Sequence, residues 1–307
     1  LRARTPWMAV RLVLMGWWFL LGEVRGWMGL SLVWLAAGGR DTPARRRRVF
    51  YLQRTWAAGH LLGVRKLFGL RFEVEGDELV EPGPLVILIR HASIIDNTLG
   101  QAFLSGPHKM QLRCVLKEEL KALPTLDMGA RWVPTALVRR ASKDPAAESA
   151  RVALLGRFLH GPGDGALIYP EGTRHTPAKL ARAQEKIREN DPETADLADR
   201  LHHLLPPRLG GPLALVGAAD RADVLVFGHV GLDGFERVSD IWRGDLNGTT
   251  VRIRFWRHAR EGIPAGERER IAWLYGCWQE LDDWVGEQRA LARPRPRHGE
   301  LPAVSPS

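Results

Sequence analysis

The sequence is poor in cysteine, with only Cys114 and Cys277 among its 307 residues. These two positions lie far apart and match no metal-binding spacing, so we predict two reduced structural thiols and no metal centre. The chain also lacks an internal repeat and the aromatic–basic pattern that is typical of nucleic-acid-binding motifs. We therefore expect no nucleic-acid partner.

The N-terminal region lacks an uninterrupted apolar run of the ~20 residues that a membrane-spanning helix needs. Two shorter apolar stretches, 12–21 and 27–37, are separated by Glu23 and Arg25. Because charges are costly at the centre of a bilayer, we predict two short helices in a re-entrant or interfacial hairpin. No small-residue cleavage site precedes an obvious mature start, which argues against a signal peptide. The alternative is a buried helical pair in a soluble core.

Tryptophan and arginine, by contrast, are abundant in this region. Of the 12 tryptophans, five lie within the first 34 residues: Trp7, Trp17, Trp18, Trp27 and Trp34. Tryptophan rings favour membrane interfaces, and the four consecutive arginines at 45–48 suit anionic headgroups. The net charge of +9 suits anionic lipids or phosphorylated substrates. We predict that residues 1–45 bind membrane lipids, and we expect the protein at the cytoplasmic face of a bacterial inner membrane.

From Val49 onward, apolar runs alternate with helical patterns. The runs at 85–90 and 165–170 are almost entirely apolar, as in strands buried on both faces of a sheet. Helices are predicted at 144–159 and at 265–291. The other predicted strands are 71–76, 112–117, 130–138, 212–219, 223–230 and 250–257. This alternation predicts an α/β fold with a mixed, mostly parallel central sheet flanked by helices. The Pro- and Arg-rich residues 292–307 are predicted to form a disordered tail.

Polar residues follow two of the buried strands. His91 and Asp96 come after the run LVILI, and the string YPEGTR at 169–174 comes after GALI. Because the carboxyl ends of parallel strands meet at one edge of a sheet, we expect both groups in the same crevice. His91 has the chemistry of a general base near neutral pH, and Asp96 that of the carboxylate that orients it. Alternatively, Asp96 caps the helix that begins near residue 97, while His91 only packs.

The string PEGTR combines groups that suit a phosphorylated ligand. Gly172 permits a close approach of the backbone, Glu171 and Thr173 can bind hydroxyls, and Arg174 offers a planar fork for a phosphate. The alternative is a strand-to-loop turn with a surface ion pair.

Two further cations, Lys117 and Arg139, also follow apolar runs. Both are predicted to point into the same crevice, although either could instead be a solvated surface charge.

The ordered blocks HASIID, LKEEL, LVRR and YPEGTR resemble those of the glycerolipid acyltransferase family, which includes the 1-acylglycerol-3-phosphate acyltransferases. The strings EGTRHTPAK, LHHLLPPRLGG and WLYGCWQELDDW are similar to the lysophosphatidate and lysocardiolipin acyltransferase branch. The likeness extends from about residue 67 to residue 285. It implies the glycerol-3-phosphate acyltransferase fold and an acyltransferase domain over 46–291.

The resemblance implies a function and roles for the candidate residues. His91, paired with Asp96, would take the proton of an acceptor hydroxyl, which then attacks an acyl-CoA or acyl carrier protein thioester without any cofactor. The acceptor would be a lysophospholipid, with 1-acylglycerol-3-phosphate as the main candidate. Six residues would hold it: Arg139 and Arg174 at the phosphate, Glu171, Gly172 and Thr173 beside it, and Lys117 at a basic position.

The chain departs from the family pattern just before the histidine, where Arg90 stands in place of the usual asparagine. This change implies either altered hydrogen bonding around His91 or an extra cation for the substrate.

Other functions stay open at this point. A glycerol-3-phosphate acyltransferase or another lysophospholipid acyltransferase would share these motifs. A histidine phosphatase also carries RH after a strand, but it follows the pair with glycine, where this chain has Ala92. A non-catalytic membrane-binding protein is the remaining alternative.

Overall fold

A seven-stranded sheet forms the centre of the computed structural model, which describes residues 5–139, 144–235 and 237–292. The strands are β1 Arg71–Glu75, β2 Leu85–Ile89, β3 Gln111–Lys117, β4 Ala136–Val138, β5 Asp164–Ile168, β6 Asp223–Val230 and β7 Thr250–His258. The helices are α1 Thr5–Ala36, α2 Pro43–Phe68, α3 Asp96–Gly100, α4 Pro124–Trp132, α5 Pro145–Gly156, α6 Pro177–Asn190, α7 Pro192–Asp199, α8 Gly210–Ala218, α9 Val238–Ile241 and α10 Glu267–Ala292.

The strands are ordered β1-β7-β6-β2-β5-β3-β4 across the sheet. Neighbouring strands run parallel, except for the antiparallel pair β6 and β7. The prediction of a mixed, mostly parallel sheet flanked by helices is therefore confirmed. Strand β2 lies between β5 and β6, in register with Leu85 opposite both Gly165 and Asp223. Its carboxyl end, which leads to His91, is consequently near the middle of the sheet.

Two apolar layers bury the faces of the sheet. Val86 and Leu88 of β2 pack in one layer with residues of α5, α8 and α10, including the fully buried Trp278. Leu85, Ile87 and Ile89 face the other layer, which includes residues of α2 and α3. Because β2 contributes to both layers, all five of its residues are buried, as its continuous apolar sequence predicts.

The N-terminal hairpin differs from the predicted one. Helix α1 runs unbroken through both apolar stretches, and its partner in the hairpin is α2. Glu23 does not interrupt α1, because its carboxylate accepts hydrogen bonds from Trp56 Nε1 at 2.9 Å and from the Thr125 amide at 3.4 Å. Close packing also depends on Gly63, where a Cβ atom would lie 2.3 Å from Trp18 Cδ1. Hydrogen bonds from other segments thus satisfy the carboxylate that suggested a break.

Much of α1 is exposed and apolar. The most apolar window within Trp7–Ala36 has a mean hydropathy of 1.4, and only 11% of that window is buried. The exposed large side chains include Trp7, Trp17, Leu21, Trp27, Leu32 and Trp34. By length and composition, this helix could cross a membrane.

Two predicted strands differ from the structure, and the predicted tail lies almost wholly outside the described residues. The apolar run 212–219 was expected to be a strand but lies almost entirely in α8, because an apolar run alone does not distinguish a buried helix from a strand. The segment 130–138 contains the end of α4 and then β4, rather than one strand. The predicted disordered tail begins at residue 292, and residues 293–307 lie outside the described part of the chain. The domain boundary predicted at 45/46 falls inside α2.

Candidate active site

His91 and Asp96 meet in a tight turn between β2 and α3. The distance between His91 Nδ1 and Asp96 Oδ2 is 3.3 Å. The same Oδ2 accepts hydrogen bonds from the amides of Ala92 at 2.5 Å and Ser93 at 2.6 Å, while Ser93 Oγ donates to Oδ1 at 2.6 Å. Asp96 therefore binds the amides of the turn before it, and Ile95 is the N-cap of α3. The helix-capping alternative is not what the geometry supports.

The chemistry of His91 follows from its burial, since only 5% of the residue is exposed. Desolvation lowers the pKa of its imidazole, and the positive charges of Arg174 and Lys117 add to this effect, although Asp96 opposes it. The ring is therefore neutral near pH 7, with Nδ1–H directed at Asp96 and the lone pair on Nε2. Its ring centroid lies 4.6 Å from that of Tyr169, whose hydroxyl donates to the Asp96 carbonyl at 2.9 Å. This packing restricts the rotation of the imidazole.

A second histidine lies on the other side of Asp96. His229 belongs to β6, the neighbour of β2, and is fully buried. Its Nε2 donates to the carbonyl of Arg90 at 3.1 Å and is 3.5 Å from Asp96 Oδ1. Burial opposes ionisation of Asp96, but His229, His91 and Ser93 together hold the pKa of that carboxyl below its usual value. The sequence analysis missed His229, although a histidine within an apolar strand was a visible signal.

The buried carboxylate of Glu171 binds the backbone amide of His91. It is 2% exposed, and its two carboxylate oxygens accept from the His91 amide at 2.8 Å and the Leu205 amide at 3.1 Å. Burial raises the pKa of this carboxyl to about 7, against the lowering effect of those bonds and of Arg90. Glu171 does not line the cavity beside His91. The geometry thus gives it a positioning role instead of the direct acceptor contact that the sequence suggested.

A cavity of about 900 Å³ opens at the carboxyl ends of the strands. Six of the sequence-predicted residues line it: His91, Lys117, Arg139, Gly172, Thr173 and Arg174. Arg139 is exposed at this wall and forms an ion pair with Glu118, whose pKa this partner lowers to about 2. Residues from four separate segments therefore share one cavity, as the rule for parallel strands predicts.

The cavity also contains cations that the sequence analysis did not identify. Lys179, Arg208 and Arg237 line it. Lys179 Nζ donates to the Arg174 carbonyl at 2.9 Å, and the Arg208 amide donates to the Pro170 carbonyl at 2.9 Å. Lys179 lies in the first turn of α6, whereas Arg208 and Arg237 lie in the loops before α8 and α9, so no local pattern marked them as a group.

Arg90 points away from this cavity. It is fully buried, and its guanidinium pairs with Asp233, which also accepts from Arg289 Nη2 at 2.7 Å. Arg90 Nη1 also donates a hydrogen bond of 2.5 Å to the carbonyl of His229. Of the two interpretations of Arg90, altered local hydrogen bonding agrees with the structure, whereas an extra cation for the substrate does not.

Comparisons with known proteins agree with the fold and the motifs. Residues 71–194 match the model of the family described as Acyltransferase. No curated protein sequence matches the chain significantly. The structure is similar to the crystal structure of the 1-acyl-sn-glycerophosphate acyltransferase PlsC from Thermotoga maritima. The TM-score is 0.58 at 15% identity, with 94% of this chain and 100% of the other covered.

The family match includes His91, Asp96 and the string YPEGTR, and the structural match extends over nearly the whole chain. Both findings agree with the predicted acyltransferase resemblance: residues 71–194 match the Acyltransferase family model, and the chain has the fold of PlsC.

Proposed function

We propose that the protein transfers a fatty acyl group from an acyl thioester to the free hydroxyl of a lysophospholipid, with 1-acylglycerol-3-phosphate as the preferred acceptor and phosphatidic acid as the product. The observation that carries this proposal is the His91–Asp96 pair at the wall of a cavity lined by basic residues. The similarity in fold to PlsC, a 1-acyl-sn-glycerophosphate acyltransferase, supports the choice of acceptor.

The reaction needs no enzyme nucleophile. His91 Nε2 takes the proton of the acceptor hydroxyl as its oxygen forms a bond to the thioester carbonyl carbon. The imidazolium is stabilised by Asp96, which lies 3.3 Å from Nδ1. The tetrahedral intermediate then collapses, the C–S bond breaks, and the leaving sulfur takes the proton back from Nε2. An ester and a free thiol result, and His91 is neutral again.

The acceptor phosphate is assigned to the cationic wall formed by Lys117, Arg139 and Arg174. The positive charge of Arg174 lowers the pKa of His91, so this guanidinium lies close enough to act on the imidazole. A planar guanidinium binds phosphate oxygens through paired hydrogen bonds. This charge arrangement favours a phosphomonoester acceptor over an uncharged alcohol.

The acyltransferase proposal is tested by following free thiol release from an acyl-CoA across a panel of acceptors. The panel contains glycerol-3-phosphate, 1-acylglycerol-3-phosphate and lysophospholipids with larger headgroups. We expect the highest kcat/KM with 1-acylglycerol-3-phosphate. A preference for glycerol-3-phosphate would instead indicate a glycerol-3-phosphate acyltransferase. Release of inorganic phosphate without any thioester would contradict acyl transfer altogether.

Replacing Arg174 with alanine should raise the KM for the acceptor at least tenfold, because a charge-assisted bond to phosphate contributes about 1.5–3 kcal/mol. The KM for the acyl donor should change far less. Steady-state kinetics with each substrate varied in turn measures both values. The exposed Arg151, outside the cavity wall, offers a matched control as Arg151→Ala. An equal rise in both KM values would remove Arg174 from the phosphate site.

The pH dependence of kcat/KM should show an acid limb centred below pH 6.5. Since the pKa of His91 is lowered from 6.5, its basic form persists below that pH, and activity is lost as the pH falls through the lowered pKa. A lysophospholipid acceptor with a phosphodiester avoids the titration of a phosphomonoester, which has a second pKa near 6. The same pH profile measured on the Glu171→Gln variant shows whether the Glu171 carboxyl contributes to this acid limb. A limb centred above pH 7 with this acceptor would contradict a neutral, partly buried His91.

We further propose that the exposed apolar side of α1 lies in the membrane that supplies the acceptor. Replacing Leu21 and Trp27, which are 64% and 51% exposed, with glutamate should abolish binding to phospholipid vesicles in sedimentation. Thiol release with a short-chain, micelle-free acceptor should persist, because neither side chain lines the cavity. The control is Leu291→Glu, at an exposed apolar position on α10. Unchanged vesicle binding by the α1 variant would contradict the membrane role.

A further inference from the structure

A buried carboxylate of α10 has no part in the chemistry assigned so far. Asp282 is 1% exposed, and its carboxylate accepts hydrogen bonds from three successive backbone amides in the loop between α7 and α8. The donors are His202 at 3.0 Å, His203 at 2.7 Å and Leu204 at 2.7 Å. Because buried backbone amides need hydrogen-bond partners, this one side chain fixes the path of the loop.

A second side chain of α10 holds the same loop one residue further on. Trp278 is fully buried, and its Nε1 donates to the Leu205 carbonyl at 3.1 Å. Residues four apart lie on the same face of a helix, so Trp278 and Asp282 approach the loop together. Helix α10 packs on β6 and shares an apolar layer with residues of β2. The loop is therefore attached to an element that is itself fixed on the sheet.

The loop in turn holds the carboxylate that binds the His91 backbone. The Leu205 amide donates to Glu171 Oε2 at 3.1 Å, and Oε1 of the same carboxylate accepts from the His91 amide at 2.8 Å. The Arg208 amide donates to the Pro170 carbonyl at 2.9 Å, which ties the loop to the residue before Glu171. Hydrogen bonds joined by the loop backbone thus connect α10, through Glu171, to the candidate general base.

Helix α10 also supports the residue before His91. Arg289 Nη1 lies 3.1 Å from His203 Nδ1, and Arg289 Nη2 donates to Asp233 at 2.7 Å. Asp233 is the carboxylate partner of the buried Arg90. The contacts of α10 therefore reach the backbone on both sides of the peptide that joins Arg90 to His91.

We propose that Asp282 is a positioning residue of the acyl transfer, which sets the location of the His91 imidazole through the 202–205 loop and Glu171. The inference rests on the proposed function, because it concerns the base of that reaction. Asp282 does not line the cavity, so its effect on the reaction is indirect. A misplacement of a reacting group by about 1 Å can lower a rate about a hundredfold.

Replacing Asp282 with alanine removes all three bonds and should lower kcat about a hundredfold. Asparagine keeps one acceptor oxygen, which can serve the His203 and Leu204 amides that share Oδ1, so Asp282→Asn should lower kcat only about tenfold. Both KM values should change little, because the cavity lining is unaltered. The matched control is Asp283→Asn, at the exposed next position of α10. Raised KM values with an unchanged kcat would contradict a positioning role.

A double variant distinguishes positioning from a general effect on stability. If Asp282 acts through Glu171, most of its effect disappears once that carboxylate is lost. Asp282→Asn should therefore lower kcat less than about twofold when it is added to Glu171→Gln. A fall of about tenfold in both backgrounds would mean that Asp282 supports the fold without acting through Glu171, and would overturn the proposal.

An NMR measurement without substrates separates this inference from the proposed function. The chain has ten histidines, so labelling with isotope-enriched histidine gives a simple spectrum. The His91 amide is the signal that is missing from the spectrum of His91→Ala. An amide that donates to a carboxylate forms a strong bond and resonates downfield, and we expect Asp282→Asn to move this resonance upfield. Asp283→Asn should leave it unchanged.

The loop can be perturbed a second time at Trp278, where phenylalanine removes the donor to the Leu205 carbonyl. Trp278→Phe should also move the His91 resonance, so the test does not depend on the folding of one variant. A moved resonance in a protein that transfers no acyl group would refute the proposed function and leave the link from α10 to His91 intact. Normal acyl transfer with an unmoved resonance in both variants would refute the link alone.

Discussion

His91→Ala should lower kcat for thioester-dependent acylation by about 10²–10⁴-fold, the range that a positioned general base contributes. The imidazole lies at the cavity wall, is neutral near pH 7, and has Asp96 3.3 Å from Nδ1. Alanine removes the proton acceptor while leaving the cationic walls in place. The KM values for both substrates should therefore change little. Thiol release under saturating substrate gives kcat directly.

The control for this prediction is His160→Ala, which removes an exposed histidine outside the cavity. Its activity should match that of the unaltered protein. Circular dichroism and the melting temperature of His91→Ala should show that the fold is retained. A folded His91→Ala variant with normal kcat would rule out the proposed general base.

Asp233→Ala should destabilise the fold by about 3–5 kcal/mol, the typical cost of removing one partner from a buried ion pair. Arg90 is fully buried, and Asp233 is its carboxylate partner. Its removal leaves the guanidinium without that charge in a medium of low dielectric. Arg289, which is more exposed, also loses a bond of 2.7 Å. Urea denaturation at neutral pH measures the free energy of unfolding.

Two further variants make this prediction specific to the buried charge. The exposed Asp283→Ala on α10 should change stability by less than about 0.5 kcal/mol. The double variant Arg90→Asn, Asp233→Asn removes both charges and should recover part of the loss, because no guanidinium is then left buried. An equally large loss in the double variant would show that the charge itself is not the cause.

The ion pair between Arg90 and Asp233 also predicts the direction in which the free energy of unfolding changes with pH. Arg90 and Arg289 hold the pKa of Asp233 well below its ordinary value of 3.8, although burial acts the other way. A carboxyl with a lowered folded-state pKa stabilises the fold above its unfolded pKa and loses that contribution as the pH falls. The stability difference between the unaltered protein and Asp233→Ala should therefore shrink below about pH 4.

The sequence predicted the parts of this molecule that depend on local pattern. Runs such as LVILI are apolar at every position, which indicates strands buried on both faces, and β2 has this character. The strand-end rule then predicted that His91, Lys117, Arg139 and Arg174 would share a crevice, and all four line one cavity. Their individual roles in binding and catalysis stay predictions until they are tested by substitution.

What the sequence did not reveal depends on contacts between distant segments. Glu23 suggested a helix break because its partners, Trp56 and Thr125, could not be known before α2 and α4 were placed. The run 212–219 has the composition of a strand, but it packs as α8. Arg237 reaches the cavity from the loop after β6, and no spacing in the sequence connects it with His91.

The bonds of Asp96 bear on how the motif can vary. Its carboxylate closes the turn through two backbone amides and a serine hydroxyl, in addition to its contact with the imidazole. The four-residue interval between histidine and aspartate is thus the length of a loop that folds onto its own carboxylate. A one-residue insertion or deletion would break that loop even where both side chains could still reach each other. The spacing of His91 and Asp96 in this chain thus serves the geometry of the turn as much as the needs of proton transfer.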